Sequence, residues 1–405
     1  LISANCHRRP LEQALESLLK SASYSLLWEA MTSAADNTSM QLAEIQVFQK
    51  GRKDQMQLLQ PQRTEVISKN NQGVFFVQGE ILLYLPQGTN RAPLEKLLRS
   101  YNATFVENRT VPGLIKVLLP ENSDVFTIAA ELKNKLNLEI SQPNYAYPMQ
   151  PPVHFTAETV VPDIAAGYYT PGDNNGAPVA LLDSGLADNA ALHNFVLSSL
   201  DVTSPNMPIT DTLGHGTQMA FIASGMVSPY GSAGESDAYT PIIAVRAFDN
   251  NGFTTDEKIM DAISFSLANN ARVMSLSWGS ETRSEIMEKV FAYAGAKGLI
   301  IVAAAGNEPT GRPVYPAAYP SVIGVGALGP HGAPWENSNF GSFVAFYAPG
   351  VASLPVGYKG DPGLYAGTSI AAAYAAHCIA GFLAENPAAT QQEIQNYLQT
   401  TFNRQ

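Results

Sequence analysis

Cysteine is nearly absent. Cys6 and Cys378 are the two in 405 residues, which excludes a disulfide framework and a cysteine-based zinc site. The two stand near opposite ends of the chain. Cys378, inside the apolar run 370–383, reads as a small buried residue rather than a nucleophile. Basic residues are also in deficit: 24 Lys and Arg against 35 Asp and Glu leave a formal net charge of −11. A nucleic-acid partner needs a basic face, so that class is set aside. No clean apolar stretch of about 18 residues occurs, so no transmembrane span is expected. Residues 367–384 come nearest but include Thr368, Ser369 and His377. Acidic ligands at EF-hand spacing are missing too. Asp249, Asp256 and Asp261 are scattered and read as solvated surface, not as a metal site. The chain opens on Leu1 rather than Met, so any leader peptide lies outside view.

What is present fits a globular protein of two or three domains, with 45% hydrophobic residues over 405 positions. Residues 1–60 read as a small α/β domain. Leu11, Ala14, Leu15, Leu18 and Leu19 make one helical face after Pro10, and Tyr24–Trp28 and Leu42–Phe48 read as short strands. A glutamine-rich polar stretch follows, and residues 61–74 read as a linker. Residues 75–150 alternate. Strands are expected at Glu80–Leu85, Ala103–Glu107, Gly113–Leu119 and Leu138–Gln142. Helices are expected around Leu94–Tyr101 and over Asp124–Leu136, the second capped by Ser123. That order, β-α-β-β-α-β, is the ferredoxin-like arrangement.

Residues 155–405 repeat strand then helix. Val179–Leu182, Pro241–Phe248, Ala271–Ser277, Leu299–Ala304 and Val322–Ala327 are apolar and β-branched without alternation, as parallel strands buried on both faces should be. Helices are expected at Thr217–Met226, Lys258–Asn269 and Ser284–Ala296. The pattern gives an α/β fold, a doubly wound and mostly parallel sheet, with ligands beyond the carboxyl ends of its strands.

Three phrases stand at such positions. Leu181-Leu182-Asp183-Ser184-Gly185 puts a carboxylate at the end of the first strand. Gly214-His215-Gly216-Thr217 puts an imidazole, and Gly367-Thr368-Ser369 a hydroxyl, at helix starts. A serine hydroxyl needs a base within hydrogen-bond reach, and histidine has the suitable pKa. A buried carboxylate holds the right tautomer and stabilises the imidazolium. A helix N-terminus offers amide donors to a developing oxyanion. Singly, each phrase has a plainer meaning: a turn, a core histidine, an N-cap. Together they follow the Asp, His, Ser order that subtilisin, a worked example of such a triad, displays.

On these residues the segment 155–405 resembles the subtilisin-like serine peptidases. The resemblance implies Ser369 as nucleophile, His215 as base then acid, Asp183 as its orienter, and Asn307, in Val302-Ala-Ala-Ala-Gly-Asn307, as an oxyanion donor. It makes Gly252, Phe253, Ser277 and Gly279 substrate-binding, with Trp278 walling the first specificity pocket, Glu308 at its rim and Val314 near its base. Plain packing is the competing meaning of Trp278 and Val314. Asn386–Thr400 resembles the closing helix. Two positions depart from the family: Ala373 replaces its usual Pro, and Gln218 its second His. Residues 75–150 resemble the inhibitory propeptide, whose end, Ser141-Gln-Pro-Asn-Tyr-Ala-Tyr147, would lie in the cleft as an added strand, with self-cleavage near 147–160. Residues 1–60 resemble the secretin/TonB short N-terminal domain.

The expectation is a secreted or periplasmic serine endopeptidase acting on polypeptides, with its own propeptide domain as intramolecular inhibitor. No cofactor is required; calcium is implied by the resemblance alone. The rivals are a peptide-binding pseudoenzyme, favoured by Ala373 and Gln218, and a transpeptidase on the same triad.

Overall fold

The computed structural model of the chain describes residues 23–32, 38–48, 65–86, 88–108, 111–150, 152–155, 176–205, 207–232, 239–359 and 361–402. It divides into two units, residues 1–65 and residues 66–405. In the first, β1 (Ser23–Thr32) and β2 (Thr38–Phe48) form an antiparallel pair, with the register shifting at Leu27/Trp28. Both strands run longer than expected. The helix expected on Leu11–Leu19 lies outside the described residues.

The second unit begins with β3 (Ile67–Lys69), β4 (Phe75–Tyr84), α1 (Ala92–Ser100), β5 (Thr104–Glu107), β6 (Leu114–Leu118), α2 (Val125–Lys135) and β7 (Ile140–Pro148). The strands pair antiparallel in the order β7-β4-β6-β5, with β3 also on β4. Part of the expected linker is therefore strand. Leu94 and Leu98 of α1 and Ala129 and Leu132 of α2 bury against Ile81, Leu83, Ile115 and Val117, the helical spacing meeting the alternate residues of the strands. Asp124, not Ser123, caps α2, its carboxylate accepting from the Phe126 and Thr127 amides. The Ser123 hydroxyl donates instead to the Pro120 carbonyl, which closes the preceding turn.

The remainder holds β8 (Val153–Phe155), β9 (Val179–Asp183), β10 (Val196–Asp201), α3 (His215–Ala223), β11 (Ile242–Arg246), β12 (Phe253–Thr255), α4 (Asp256–Ala268), β13 (Val273–Leu276), α5 (Glu285–Ala296), β14 (Ile300–Ala304), β15 (Ile323–Leu328), β16 (Val344–Pro349), β17 (Val351–Leu354), β18 (Gly363–Ala366), α6 (Thr368–Glu385) and α7 (Gln391–Phe402). Seven strands pair in parallel, in the order β10-β11-β9-β13-β14-β15-β16. Val179 and Leu181 pack under α3 and α6, while Ala180 and Leu182 pack under α4 and α5. Both faces are covered, so the strand sequence shows no polar alternation. The chain leaves β9 for β10 and β11 on one side and returns to β13 on the other. The carboxyl ends of β9 and β13 flank that switch point, where a crevice forms.

Two short pairings lie outside this sheet. β7 continues beyond the expected Leu138–Gln142, and its end, Ala146–Pro148, pairs antiparallel with β12. Val153–Phe155 pairs antiparallel with β18, which in turn pairs with β17.

Candidate active site

Asp183 ends β9, beside the switch point, and His215 opens α3. The two are joined by a 2.7 Å hydrogen bond from His215 Nδ1 to Asp183 Oδ1. A carboxylate only accepts, so Nδ1 carries the proton and the neutral ring presents the Nε2 lone pair. Nε2 is buried and has no hydrogen-bond partner among the described residues. Burial lowers the pKa of His215, but the charge and hydrogen bond of Asp183, with the charge of Asp211, outweigh it and leave the ring above its ordinary value.

Glycines make this approach possible. A Cβ on Gly216 would sit 2.2 Å from the Gly185 carbonyl oxygen. Gly214, at φ +83, would place one 2.2 Å from the Gly357 carbonyl oxygen. Neither position admits a larger side chain.

Ser369 is the second residue of α6, where amides lack intrahelical partners. Its hydroxyl donates over 3.4 Å to the Ser277 carbonyl, at the end of β13. Asn307 is anchored to the same helix start: its Oδ1 accepts from the Thr368 amide at 2.9 Å and the Thr368 hydroxyl at 2.8 Å. With Oδ1 so engaged, the donor Nδ2 is turned toward Gly367, whose notional Cβ would lie 3.6 Å from it.

The chain's own residues 146–150 and 152–155 lie beside these groups. Met149 donates its amide to the Gly252 carbonyl at 2.8 Å. The Gln150 side chain donates to the Gly279 carbonyl over 3.4 Å. Pro152 lies against Gly367. His215 and Ser369 are almost without solvent exposure.

The remaining expected site residues divide. Ser277, Trp278 and Gly279 lie along this path, Trp278 stacking on Tyr147 with ring centroids 5.0 Å apart. Val314 is buried and crowds Gly279, its Cγ1 2.3 Å from the position of a Cβ there. Gly252 contributes its carbonyl, but the Phe253 ring turns away to meet Phe75, 5.1 Å between centroids. Glu308 is exposed.

Both departures are accommodated. Ala373 is fully buried in an unbroken α6. Gln218 is buried and donates to the Val356 carbonyl at 2.9 Å, tying down the loop that carries Tyr358 over His215. Burial pushes the Cys378 thiol up to about 12, so it forms no thiolate at neutral pH. Among the described residues no group of three or more His, Cys, Asp or Glu is placed to hold a metal, so the side chains offer calcium no cluster.

Asp211 escaped the sequence reading. Its carboxylate accepts from the Ser184 hydroxyl, the Gly214 amide, and the amide and hydroxyl of Thr217, at 2.6–2.8 Å. It thereby ties the loop after Asp183 to the helix start bearing His215. The available signal was an acidic residue four positions before the histidine. Asp256 was misread as solvated surface. It is fully buried, because residues 142–147 cover it.

Comparison with known proteins follows the same lines. The sequence profile of the subtilase family matches residues 174–405. A thermophilic serine proteinase from Bacillus sp. (strain AK1) is 29% identical over 332 residues, covering 78% of this chain and 80% of that protein. Subtilisin NAT from Bacillus subtilis subsp. natto is 31% identical over 227 residues, covering 55% of this chain and 59% of that one. The crystal structure of fervidolysin from Fervidobacterium pennivorans, a keratinolytic enzyme related to subtilisin, superposes with a TM-score of 0.61 at 21% identity. That superposition covers 84% of this chain and 60% of fervidolysin, and it speaks to the fold alone.

Proposed function

The chain belongs to the subtilase family, and from that premise we propose that it is a serine endopeptidase held inactive by its own residues 75–150. Ser369 attacks a peptide carbonyl while His215 Nε2 takes the hydroxyl proton. Asp183 holds the imidazolium that forms. The oxyanion is received by the Ser369 amide, at the start of α6, and by Asn307 Nδ2. The C–N bond then breaks as Nε2 gives its proton to the leaving amine, and water repeats the sequence on the acyl-enzyme. The observation that carries this reading is the 2.7 Å bond from His215 to Asp183 at the carboxyl end of β9, with the other ring nitrogen free to act as base.

In this reading residues 75–150 are a ferredoxin-like inhibitory propeptide. The pairing of Ala146–Pro148 with β12 supports it, since an extended segment added to a sheet edge is how a peptide would be presented to Ser369. Masking of this kind suits a protease that acts in the periplasm or after secretion. No helix among the described residues is long and apolar enough to cross a membrane.

Fluorophosphonate labelling of the full chain tests the proposal. Labelling that disappears in Ser369→Ala, together with a Ser369→Ala chain that stays intact, is the expected result. Absence of labelling in the unsubstituted chain under every condition that loosens residues 140–152 would favour the peptide-binding pseudoenzyme.

A further inference from the structure

Tyr147 is held more specifically than a masking segment requires. Its ring lies tilted on Trp278, 5.0 Å between centroids, and Phe248 meets the same indole at 6.2 Å. Its hydroxyl, completely buried, donates to Asp256 Oδ1 at 2.6 Å. Asp256 opens α4, and its Oδ2 accepts from Ser284 Oγ at 3.0 Å and Gln142 Nε2 at 3.1 Å. The Tyr145 amide is a further donor. Of these four donors only Ser284 lies outside residues 142–147. When that segment leaves, the carboxylate is left at the bottom of an aromatic-walled pocket with most of its partners gone. Such a group favours an incoming hydroxyl donor and penalises a ligand that lacks one.

We propose that Asp256 is a specificity-determining residue: with Trp278 it forms a pocket that selects substrate tyrosine over phenylalanine at the position Tyr147 now takes, three residues before the one beside Gly279. The proposal rests on the peptidase reading for its substrate, but the pocket itself does not depend on Ser369. A phenylalanine would keep the stack on Trp278 and leave Asp256 Oδ1 without its donor. A leucine at 256 would remove that penalty and reverse the preference.

The test uses the full chain and two readouts. The first is hydrogen exchange of segment 145–150, whose Met149 amide is bonded to Gly252. Tyr147→Phe is expected to speed exchange at least tenfold. In the Asp256→Leu background the same change should alter it less than twofold. Asp256→Asn keeps the side-chain shape and should give an intermediate ratio, should the leucine variant fail to fold. Equal effects of Tyr147→Phe in all backgrounds overturn the proposal. The second readout maps the cuts the full chain makes in a denatured protein by mass spectrometry. Tyrosine enriched over phenylalanine three residues before the cut residue supports the proposal. Cuts without that enrichment overturn it and leave the peptidase reading standing. Absence of both cuts and fluorophosphonate labelling removes the peptidase reading instead, and the exchange ratios then decide the pocket alone.

Discussion

His215 Nδ1 and Asp183 Oδ1 stand 2.7 Å apart, and neither residue has appreciable contact with solvent. The bond fixes which ring nitrogen carries the proton, and so which one is a base. Asp183→Asn keeps the shape but replaces an acceptor by an amide, which permits the opposite tautomer. Turnover of a peptide substrate should fall by about 10⁴-fold, the loss known for the equivalent change in a serine protease triad. Far-UV circular dichroism should be unchanged. Initial rates measured beside the unsubstituted chain check this, and a loss of less than tenfold would show that Asp183 does not set the tautomer.

Asp211 acts on the same imidazole from a distance. Burial lowers the His215 pKa, but the charge and hydrogen bond of Asp183 and then the charge of Asp211 raise it further than burial lowers it. A raised histidine stays protonated, and inactive as a base, to a higher pH. The acid limb of kcat/KM should therefore lie above about pH 6.5, the ordinary value. Asp211→Asn removes the charge, lowers the histidine pKa and moves the acid limb to lower pH. It also disturbs buried donors on Ser184, Gly214 and Thr217, so turnover should fall by about 10- to 100-fold with KM little changed. A pH–rate profile separates the two effects. A limb that stays in place or moves upward would remove Asp211 from the electrostatics of the site.

Gln218 takes up the position where the family has its second histidine, and its bond to Val356 makes it part of the packing around His215 rather than of the proton path. Gln218→Ala orphans a buried carbonyl and leaves a cavity. Stability should drop by about 1–3 kcal/mol, or about 2–4 °C in Tm per kcal/mol for a domain of this size. Fluorophosphonate labelling should persist. Calorimetry and labelling on the same preparation check both halves, and loss of labelling without loss of stability would assign Gln218 to the chemistry.

The parts of this site that were legible in the sequence are those made by local rules. Asp183 ends an apolar strand and His215 and Ser369 stand at helix starts just after glycines, so local rules marked the three positions, and their Asp, His, Ser order, matched to the subtilisin pattern, joined them into one site. The parallel sheet was legible because both of its faces are buried. β12 and β18 were not, because strands of three or four residues are too short to show a periodicity. Asp256 failed for a related reason. An acidic residue at the first turn of a helix is ordinarily a solvated partner of the helix dipole. It is buried here because residues 142–147, more than 100 positions earlier in the chain, lie across it. No window of local sequence carries that contact. Ser123 lost to Asp124 as helix cap for the simplest of reasons: both are capping residues and they are adjacent.

The strap across the cleft poses a chemical question that its sequence answers. Gln150 donates to the Gly279 carbonyl on one side of the site, and Pro152 rests on Gly367 on the other. Both bonds joining Gln150 to Pro152 are amides to proline nitrogen. The leaving nitrogen of such a bond carries a ring carbon where an ordinary amide has hydrogen, and the ring fixes φ. Its lone pair must still receive a proton from His215 Nε2, and the ring carbon crowds that approach. The segment should therefore bind as a substrate does and resist cutting, which keeps the mask in place until the chain is cut elsewhere. Replacing both prolines, as Pro151→Ala with Pro152→Ala, should convert the strap into a substrate. Intact-mass analysis should then show a fragment ending at Gln150 that the unsubstituted chain does not produce, and Ser369→Ala in the same background should abolish it. Identical fragment ends with and without the prolines would mean that something other than the leaving nitrogen protects the strap.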